Sequence, residues 1–255
     1  MERLDDVLGY KNMKIYQNSD YFSFSLDSII LANYTSIRLR DKKIVDLCCG
    51  NGIIPLILSR RTNSNIEGVE IQKKLCDLAN KTIDLNLLTS RVSIINMDIK
   101  DFAFNNSNIY DLVLCNPPYF KIEDNSSLNL SYEKMIARHE VMIDLSSLCN
   151  CAKRLLKDNG SFCMVHRSDR LMDILEEFRK NGIEPKIIRF VYENINKEST
   201  LVLIQGQKAG KVGLKIEKPI ILFNPDGSMT EEYSLLQKEV LKWFKKVMMR
   251  VLVYI

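Results

Sequence analysis

Four short groups of residues carry the chemical potential of this chain. They are Asp46-Leu47-Cys48-Cys49-Gly50-Asn51-Gly52, Glu70, Asp98 and Asn116-Pro117-Pro118-Tyr119. Glycines where a strand turns into a helix let a ligand approach the backbone with no Cβ in the way. Pro55 stands where a dinucleotide fingerprint would carry its third glycine, and Cys48 holds an earlier glycine-favoured place. On its own the turn therefore reads equally as an ordinary strand-to-helix connection. Glu70 follows Gly50 by 20 residues, a spacing at which an acid can bond both hydroxyls of an adenosine ribose. Asp98, just past the next apolar run, is placed to accept from an adenine amino group. Acids and glycines in this order describe a pocket for an adenosine moiety.

Asn116-Pro117-Pro118-Tyr119 narrows the choice of ligand. Two consecutive prolines fix their own φ near −65° and keep the preceding residues extended. The rigid turn then presents the Asn116 side-chain oxygen and the Pro117 carbonyl together. Two converging acceptors can hold an amino group that is conjugated to a ring. Accepting from both N–H bonds favours a pyramidal nitrogen and points its lone pair at an electrophile. Tyr119 offers a face for a planar base or amide to stack on.

The elements that must position these groups read from the hydrophobic pattern. Strands are expected at 42–47, 65–70, 92–96, 110–115 and 161–166, and helices at 52–61, 72–86 and 171–180. Asp144 is a candidate cap for a further helix running to about Asp158, with Gly160 beyond its end. Segments 185–192 and 200–206 read as an appended antiparallel pair. Such alternation predicts a mostly parallel, doubly wound sheet with helices on both faces. Ligands then sit outside the carboxyl ends of the strands, just after Leu47, Val69, Asn96 and Cys115.

The chain has 255 residues, 46% hydrophobic and 27% charged, which is the composition of a globular domain rather than a disordered chain. No apolar stretch reaches the roughly 18 residues of a membrane span, and the charged start at Met1-Glu2-Arg3 is unlike a secretory signal. Seven cysteines without a CxxC pair, and only His139 and His166 as histidines, give no disulfide framework and no metal site. The expectation is a reducing, cytoplasmic setting without a metal. A net charge of +4 is compatible with nucleic acid without demonstrating it.

The combined motifs resemble the class I S-adenosylmethionine-dependent methyltransferases that methylate amino nitrogens. Within that class the chain is similar to the bacterial tRNA adenine-N6 methyltransferases. Those modify the adenine at position 37, immediately 3′ of the anticodon, in a valine tRNA. The matching words are Phe22-Ser23-Phe24-Ser25-Leu26-Asp27, Gly52-Ile53-Ile54-Pro55-Leu56, Gly68-Val69-Glu70-Ile71-Gln72 and Asn116-Pro117-Pro118-Tyr119-Phe120. Ala137-Arg138-His139-Glu140, Val165-His166-Arg167, Glu184-Pro185-Lys186 and Gly213-Leu214-Lys215-Ile216 extend the likeness over roughly residues 20–232.

The resemblance implies a Rossmann-like fold with a mostly parallel seven-stranded sheet and an antiparallel strand near its C-terminal edge. It implies that Asp46, Cys48, Gly50 and Gly52 line the methionine and ribose part of an S-adenosyl-L-methionine pocket. Glu70 would take the ribose hydroxyls, Ile71 would lie on the adenine, and Asp98 would reach its amino group. Phe24 and Asp27 correspond to a segment, within 1–42, that closes over the cofactor and substrate. The catalytic domain would be 43–235, leaving 236–255 as an apolar tail without a family counterpart. Asn116, Pro117, Pro118 and Tyr119 would hold the target base.

The expected partner is the anticodon stem-loop of a tRNA. Lys14, Lys121, Arg138, Arg167 and Arg170, with Lys11 and the aromatics Tyr16, Tyr21 and Phe22, suit phosphate contact and base stacking. A solvated charged surface would look the same. Arg138, Arg167 and Arg170 are expected to frame the entrance. Other readings stay open: methylation of a release-factor glutamine, of DNA adenine, of guanine-N2 in ribosomal RNA, or a non-catalytic RNA-binding scaffold. A release-factor enzyme would carry a helical substrate domain before the fold, where only 45 residues precede Asp46.

Overall fold

The computed structural model describes residues 2–7, 10, 12–18, 25–118 and 143–234. A hairpin of β1 (Glu2–Asp6) and β2 (Lys14–Asn18) leads to α1 (Leu26–Tyr34). The alternating core follows as β3 (Lys43–Leu47), α2 (Ile53–Arg61), β4 (Asn65–Glu70), α3 (Lys73–Leu85), β5 (Val92–Asn96), α4 (Ile99–Asn105) and β6 (Tyr110–Cys115). After the gap in the described residues come α5 (Leu145–Leu155), β7 (Leu156–Arg167), a 3-10 turn (Ser168–Arg170) and α6 (Leu171–Lys180). The chain continues through β8 (Ile183–Asn194), β9 (Ser199–Lys208), β10 (Lys215–Ile216) and β11 (Ile220–Phe223).

One nine-stranded sheet runs in the order β10-β8-β9-β7-β6-β3-β4-β5, with β11 also on β8. All its pairings are parallel except those of β9, which is antiparallel to both β7 and β8. The seven strands read from the sequence all form. The additional two, β10 and β11, are short edge strands on β8. From β3 the chain winds outward through β4 and β5, then returns across β3 to build β6 and β7. The order therefore reverses between β3 and β6, and that reversal opens a crevice at the carboxyl ends of the two strands.

Alternate side chains of the sheet feed two apolar layers. On one face Ile44, Ile66, Ile94, Leu112 and Leu114 pack with α1, α2 and α3. On the other, Val45, Leu47, Val69, Val113 and Cys115 pack with α4, α5 and α6. Burial on both faces is why these strands read as nearly continuous apolar runs.

Besides α1, which was not read as a helix, three parts of the fold differ from the expectation. α5 stops at Leu155, because Leu156 takes an extended conformation and pairs with Tyr110. The next matched pair is Leu112 with Ser161, so residues 157–160 form an irregularity within β7 rather than a helix end. α4 was not anticipated; Asp98 caps it and Ile99, Phe102 and Ala103 bury one face. The N-terminal hairpin was read only as part of a closing segment. Its described residues dock on α3: the Tyr16 N–H donates to Thr82 Oγ1 at 3.0 Å, and Lys14 exchanges bonds with the Asn86 carboxamide. No helix among the described residues is long and apolar enough to cross a membrane.

Gly68 is where the sheet and the loop after β3 meet most closely. A Cβ there would stand 2.8 Å from both Cys49 Sγ and Ile94 Cδ1. Gly68→Ala is expected to cost about 1–3 kcal/mol of overpacking and to lower the melting temperature by roughly 2–10 °C. Thermal denaturation followed by circular dichroism checks this; an unchanged midpoint would mean both neighbours give way freely.

Candidate active site

Strand register brings the candidate residues to one rim. Leu47 lies beside Val69 on one side and Cys115 on the other, and Glu70 lies beside Asn96. The connections after β3, β4, β5 and β6 therefore leave the sheet together. The turn after β3 is built from left-handed residues: Cys48 at φ +59°, Gly50 at +55° and Gly52 at +84°. Cys48 accepts a conformation that usually favours glycine, which agrees with its glycine-favoured place in the motif. At Gly50 a Cβ would meet nothing within 4 Å, so the residue faces open space. At Gly52 it would stand 3.1 Å from Ala79 Cβ, so glycine there lets α2 and α3 approach.

Asp46 is fully buried, and among the described residues neither carboxylate oxygen has a hydrogen-bond partner. Burial, and then the neighbouring charge of Glu70, hold its carboxyl well above the usual carboxylate range. Glu70 is also buried, but Oε2 accepts the Gly50 N–H at 2.9 Å and Oε1 accepts the Gln72 N–H at 2.8 Å. Burial raises its pKa, and the N–H groups of Gln72, Gly50 and Ile71 offset part of that rise. With three N–H partners, about one of its roughly four lone-pair sites remains for a ligand hydroxyl. Asn96, not anticipated, donates to the carbonyls of Glu70 and Ile71 at 2.8 and 2.9 Å and so fixes the backbone between them. Ile71 is exposed above this rim. Asp98 spends Oδ1 on the Lys100 N–H at 2.7 Å as the cap of α4.

On the other side of the crevice, Asn116 and the half-buried Pro118 flank buried Pro117. Burial first, and then the neighbouring Cys48 thiol, push the Cys115 thiol well up. Asn116 Nδ2 donates to Ser28 Oγ at 2.8 Å and to Ser25 Oγ at 3.3 Å. The first turn of α1, which also carries Asp27, thus touches the Asn-Pro-Pro turn. Sequence reading passed over these serines; their spacing of three residues at a helix start was the available signal.

Arg167 and Arg170 leave β7 on the same rim, since Cys115 pairs with Met164 just before them. Each meets an acid: Arg167 bonds Asp169 through Nε and Nη2 at 3.1 and 2.5 Å, and Arg170 bonds Asp173 at 2.6 Å. His166 between them and the core is pushed down to about 4, by burial first and then by the Arg170 charge. It stays neutral, and its Nδ1 accepts the Arg167 N–H at 2.9 Å. Lys14 is not brought to this site. Its bonds to Asn86 hold it at the far end of α3, on the opposite rim. Phe24, Tyr119, Lys121 and Arg138 lie outside the described residues, as do Lys11, Tyr21 and Phe22. Among the described residues no three His, Cys, Asp or Glu side chains gather as a metal centre requires.

The family model of the methyltransferase small domain matches residues 26–181, from the start of α1 to the end of α6. The chain belongs to the methyltransferase small domain family. A curated relative from Yersinia pestis (strain Pestoides F), named tRNA1(Val) (adenine(37)-N6)-methyltransferase, is 30% identical over 141 residues. That match takes in 54% of this chain and 55% of the relative, so the chain spans about half the length of the curated relatives it matches. A predicted O-methyltransferase from Agrobacterium tumefaciens has the same fold, with a TM-score of 0.66 at 15% identity over 84% of this chain and 96% of that one. A geranyl diphosphate C-methyltransferase from Streptomyces coelicolor, solved with S-adenosyl-L-homocysteine, follows at a TM-score of 0.52 and 16% identity, over 71% and 76%.

The residues present fit S-adenosylmethionine. A buried carboxylate without partners among the described residues suits the cationic amino group of the methionine part, Glu70 keeps acceptor capacity for a ligand hydroxyl, and Gly50 leaves the approach open. Because Asp46 ionises at higher pH folded than unfolded, the ligand-free chain holds an extra proton between those two values. Stability therefore falls as pH rises from about 4 through that window. Glu70 acts in the same sense. Asp46→Asn should remove much of this loss: its melting temperature should match wild type near pH 4 and exceed it at pH 8. The same change should weaken S-adenosylmethionine binding by about tenfold or more, read by calorimetry. A variant that binds normally would take Asp46 out of the pocket.

Proposed function

We propose that this protein transfers the methyl group of S-adenosylmethionine to the exocyclic N6 amine of an adenine in tRNA, at position 37 beside the anticodon of tRNA(Val). The observation that carries the reading is the pairing of an acid-lined pocket with Asn116-Pro117-Pro118 across one sheet reversal. The names of the curated relatives supply the tRNA and the position. A tRNA substrate also implies a cytoplasmic enzyme.

The cofactor, when bound, supplies a methyl group on a sulfonium, already activated for displacement. The chain's contribution is position and dryness. Asn116 and the Pro117 carbonyl accept from the adenine amine, localise its lone pair and point it into the crevice. No general base is needed before attack, because the product ammonium is acidic and loses its proton to solvent. Orientation of this kind accounts for much of what such a site must provide. An anticodon-loop base is poorly stacked, so extruding it is cheap. Tyr119 would stack on it, and the segment before β3 would close over the pocket.

The test is incubation of unmodified tRNA with radiolabelled S-adenosylmethionine, followed by digestion and identification of the labelled nucleoside. N6-methyladenosine is expected; N2-methylguanosine, or label on protein glutamine instead, would overturn the reading. Asn116→Ala should bind cofactor normally and lose about a hundredfold or more in the single-turnover rate.

Contact with RNA phosphates is assigned to Arg167 and Arg170, and from the sequence also to Arg138 and Lys121. Arg167→Glu should raise the apparent Kd for tRNA and reduce the slope of its salt dependence by about one unit. Its melting temperature should stay unchanged, because the Arg167–Asp169 pair is exposed and contributes little. Lost stability with intact tRNA binding would make Arg167 structural.

A further inference from the structure

Ser25 and Ser28 form a pair that the motif reading left without a task. Ser28 is 7% exposed, so a polar group facing it has little water to turn to. Ser25 occupies the N-cap position of α1 in an extended conformation, where a serine hydroxyl ordinarily accepts a helix N–H. It makes no such cap bond. Both hydroxyls turn instead to one atom, Asn116 Nδ2. A carboxamide has two N–H donors and one carbonyl oxygen. With the nitrogen held by α1, the opposite edge of the amide can only accept.

We propose that Ser28, assisted by Ser25, is a positioning residue that fixes the rotation of the Asn116 carboxamide and so makes the catalytic turn select an amine. This rests on the reading of Asn116 as the amine acceptor. Losing the serines removes two bonds that keep Nδ2 on the α1 side, and an amide turned over would present N–H groups to the substrate nitrogen, donor against donor. An exocyclic carbonyl oxygen in place of the amine would meet two acceptors, Asn116 and the Pro117 carbonyl. The clamp therefore excludes oxo bases by repulsion as well as favouring amino bases by attraction. It also explains why α1 forgoes a cap: the hydroxyl that would stabilise the helix serves the site, a local sacrifice of the kind found at functional positions.

The experiment has a spectroscopic arm that needs no substrate. In uniformly 15N-labelled protein the Asn116 side-chain amide is the resonance pair lost in Asn116→Ala. Ser28→Ala should shift that pair and speed its exchange with solvent by about tenfold, because a buried donor loses its acceptor. The single-turnover methyl-transfer rate should fall about ten- to a hundredfold, the cost of a misplaced group. Calorimetric Kd for S-adenosylhomocysteine should hold, and the melting temperature should fall by no more than a few degrees, the cost of one donor left short of its acceptor. Ser25→Ala should show a weaker version of each effect, and Ser28→Thr, which keeps a hydroxyl, should recover most of the rate. An Asn116 amide unmoved by the double alanine variant would overturn the proposal. So would a rate loss matched by an equal loss of S-adenosylhomocysteine affinity, which would make the serines part of the cofactor pocket. If wild-type protein methylates no adenine, the function proposed above fails, while the amide resonances still decide whether the clamp exists.

Discussion

Two carboxylates that the fold buries side by side set the terms for everything around them. Asp46 and Glu70 end adjacent parallel strands, and a parallel pair offers no way to turn one of them outward without losing its register. Glu70 is made tolerable by the N–H groups of Gly50 and Gln72. Asp46 has nothing comparable among the described residues. Leaving a buried acceptor without a partner costs several times what a typical net hydrogen bond returns. The arrangement persists because apolar layers on both faces of the sheet hold β3 and β4 rigidly in place. On the function proposed above, a cationic, hydroxyl-bearing ligand would offset this cost, which is the relation between stability and binding expected of a preorganised site.

The same polarity organises the charges of the whole domain. At the opposite rim, cations are consumed in closing the fold. Arg61 bonds the carbonyls of Ala32 and Thr35, Arg91 those of Ser59 and Thr62, and Lys208 that of Leu156. Arg38 reaches the carbonyls of Asn159 and Asp111. These groups satisfy backbone acceptors where helices and loops end, and they complement the negative ends of helix dipoles. The modest excess of basic residues is thus largely structural. A net charge of +4 measures neither the strength nor the place of an RNA contact.

How much was legible in the sequence follows from how local each feature is. β3, β4, β5 and β6 were readable because buried parallel strands leave compact apolar runs bounded by turn residues. The acids and glycines at their ends were readable because the topology fixes where such runs deliver their last residue. α1 was not, since Ser28–Ala32 are all buried and leave no one-sided periodicity. β1 was not, because Glu-Arg-Leu-Asp-Asp has no apolar alternation; its partner β2 is held by Thr82 and Asn86, far along the chain. The end of α5 was overrun because Leu155-Leu156 continues a helical pattern that only pairing with Tyr110 interrupts. Lys14 joined the basic set on composition alone, and tertiary docking carried it to the other end of the molecule. The Asn116–Ser28 bond spans 88 residues and no local pattern could announce it.

That long-range bond also changes what the N-terminal segment is for. α1 packs its buried face against α2 and the sheet, so its axis is fixed by the core. Its first turn reaches the Asn-Pro-Pro turn, with Ser25, Asp27 and Ser28 all within that one turn. If Asp27 meets the cofactor, as the family resemblance implies, then the turn that senses the cofactor is the turn that sets the Asn116 amide. The two halves of the reaction, donor and acceptor, would be registered to each other through a single rigid helix end rather than through the loops that carry them. Loops tolerate displacement, and a reaction that depends on lining up a nitrogen with a methyl group does not. Placing the reference point on a helix anchored in the core resolves that conflict, and on the function proposed above it would make the first turn of α1 as much a part of the site as the Asn-Pro-Pro turn it holds.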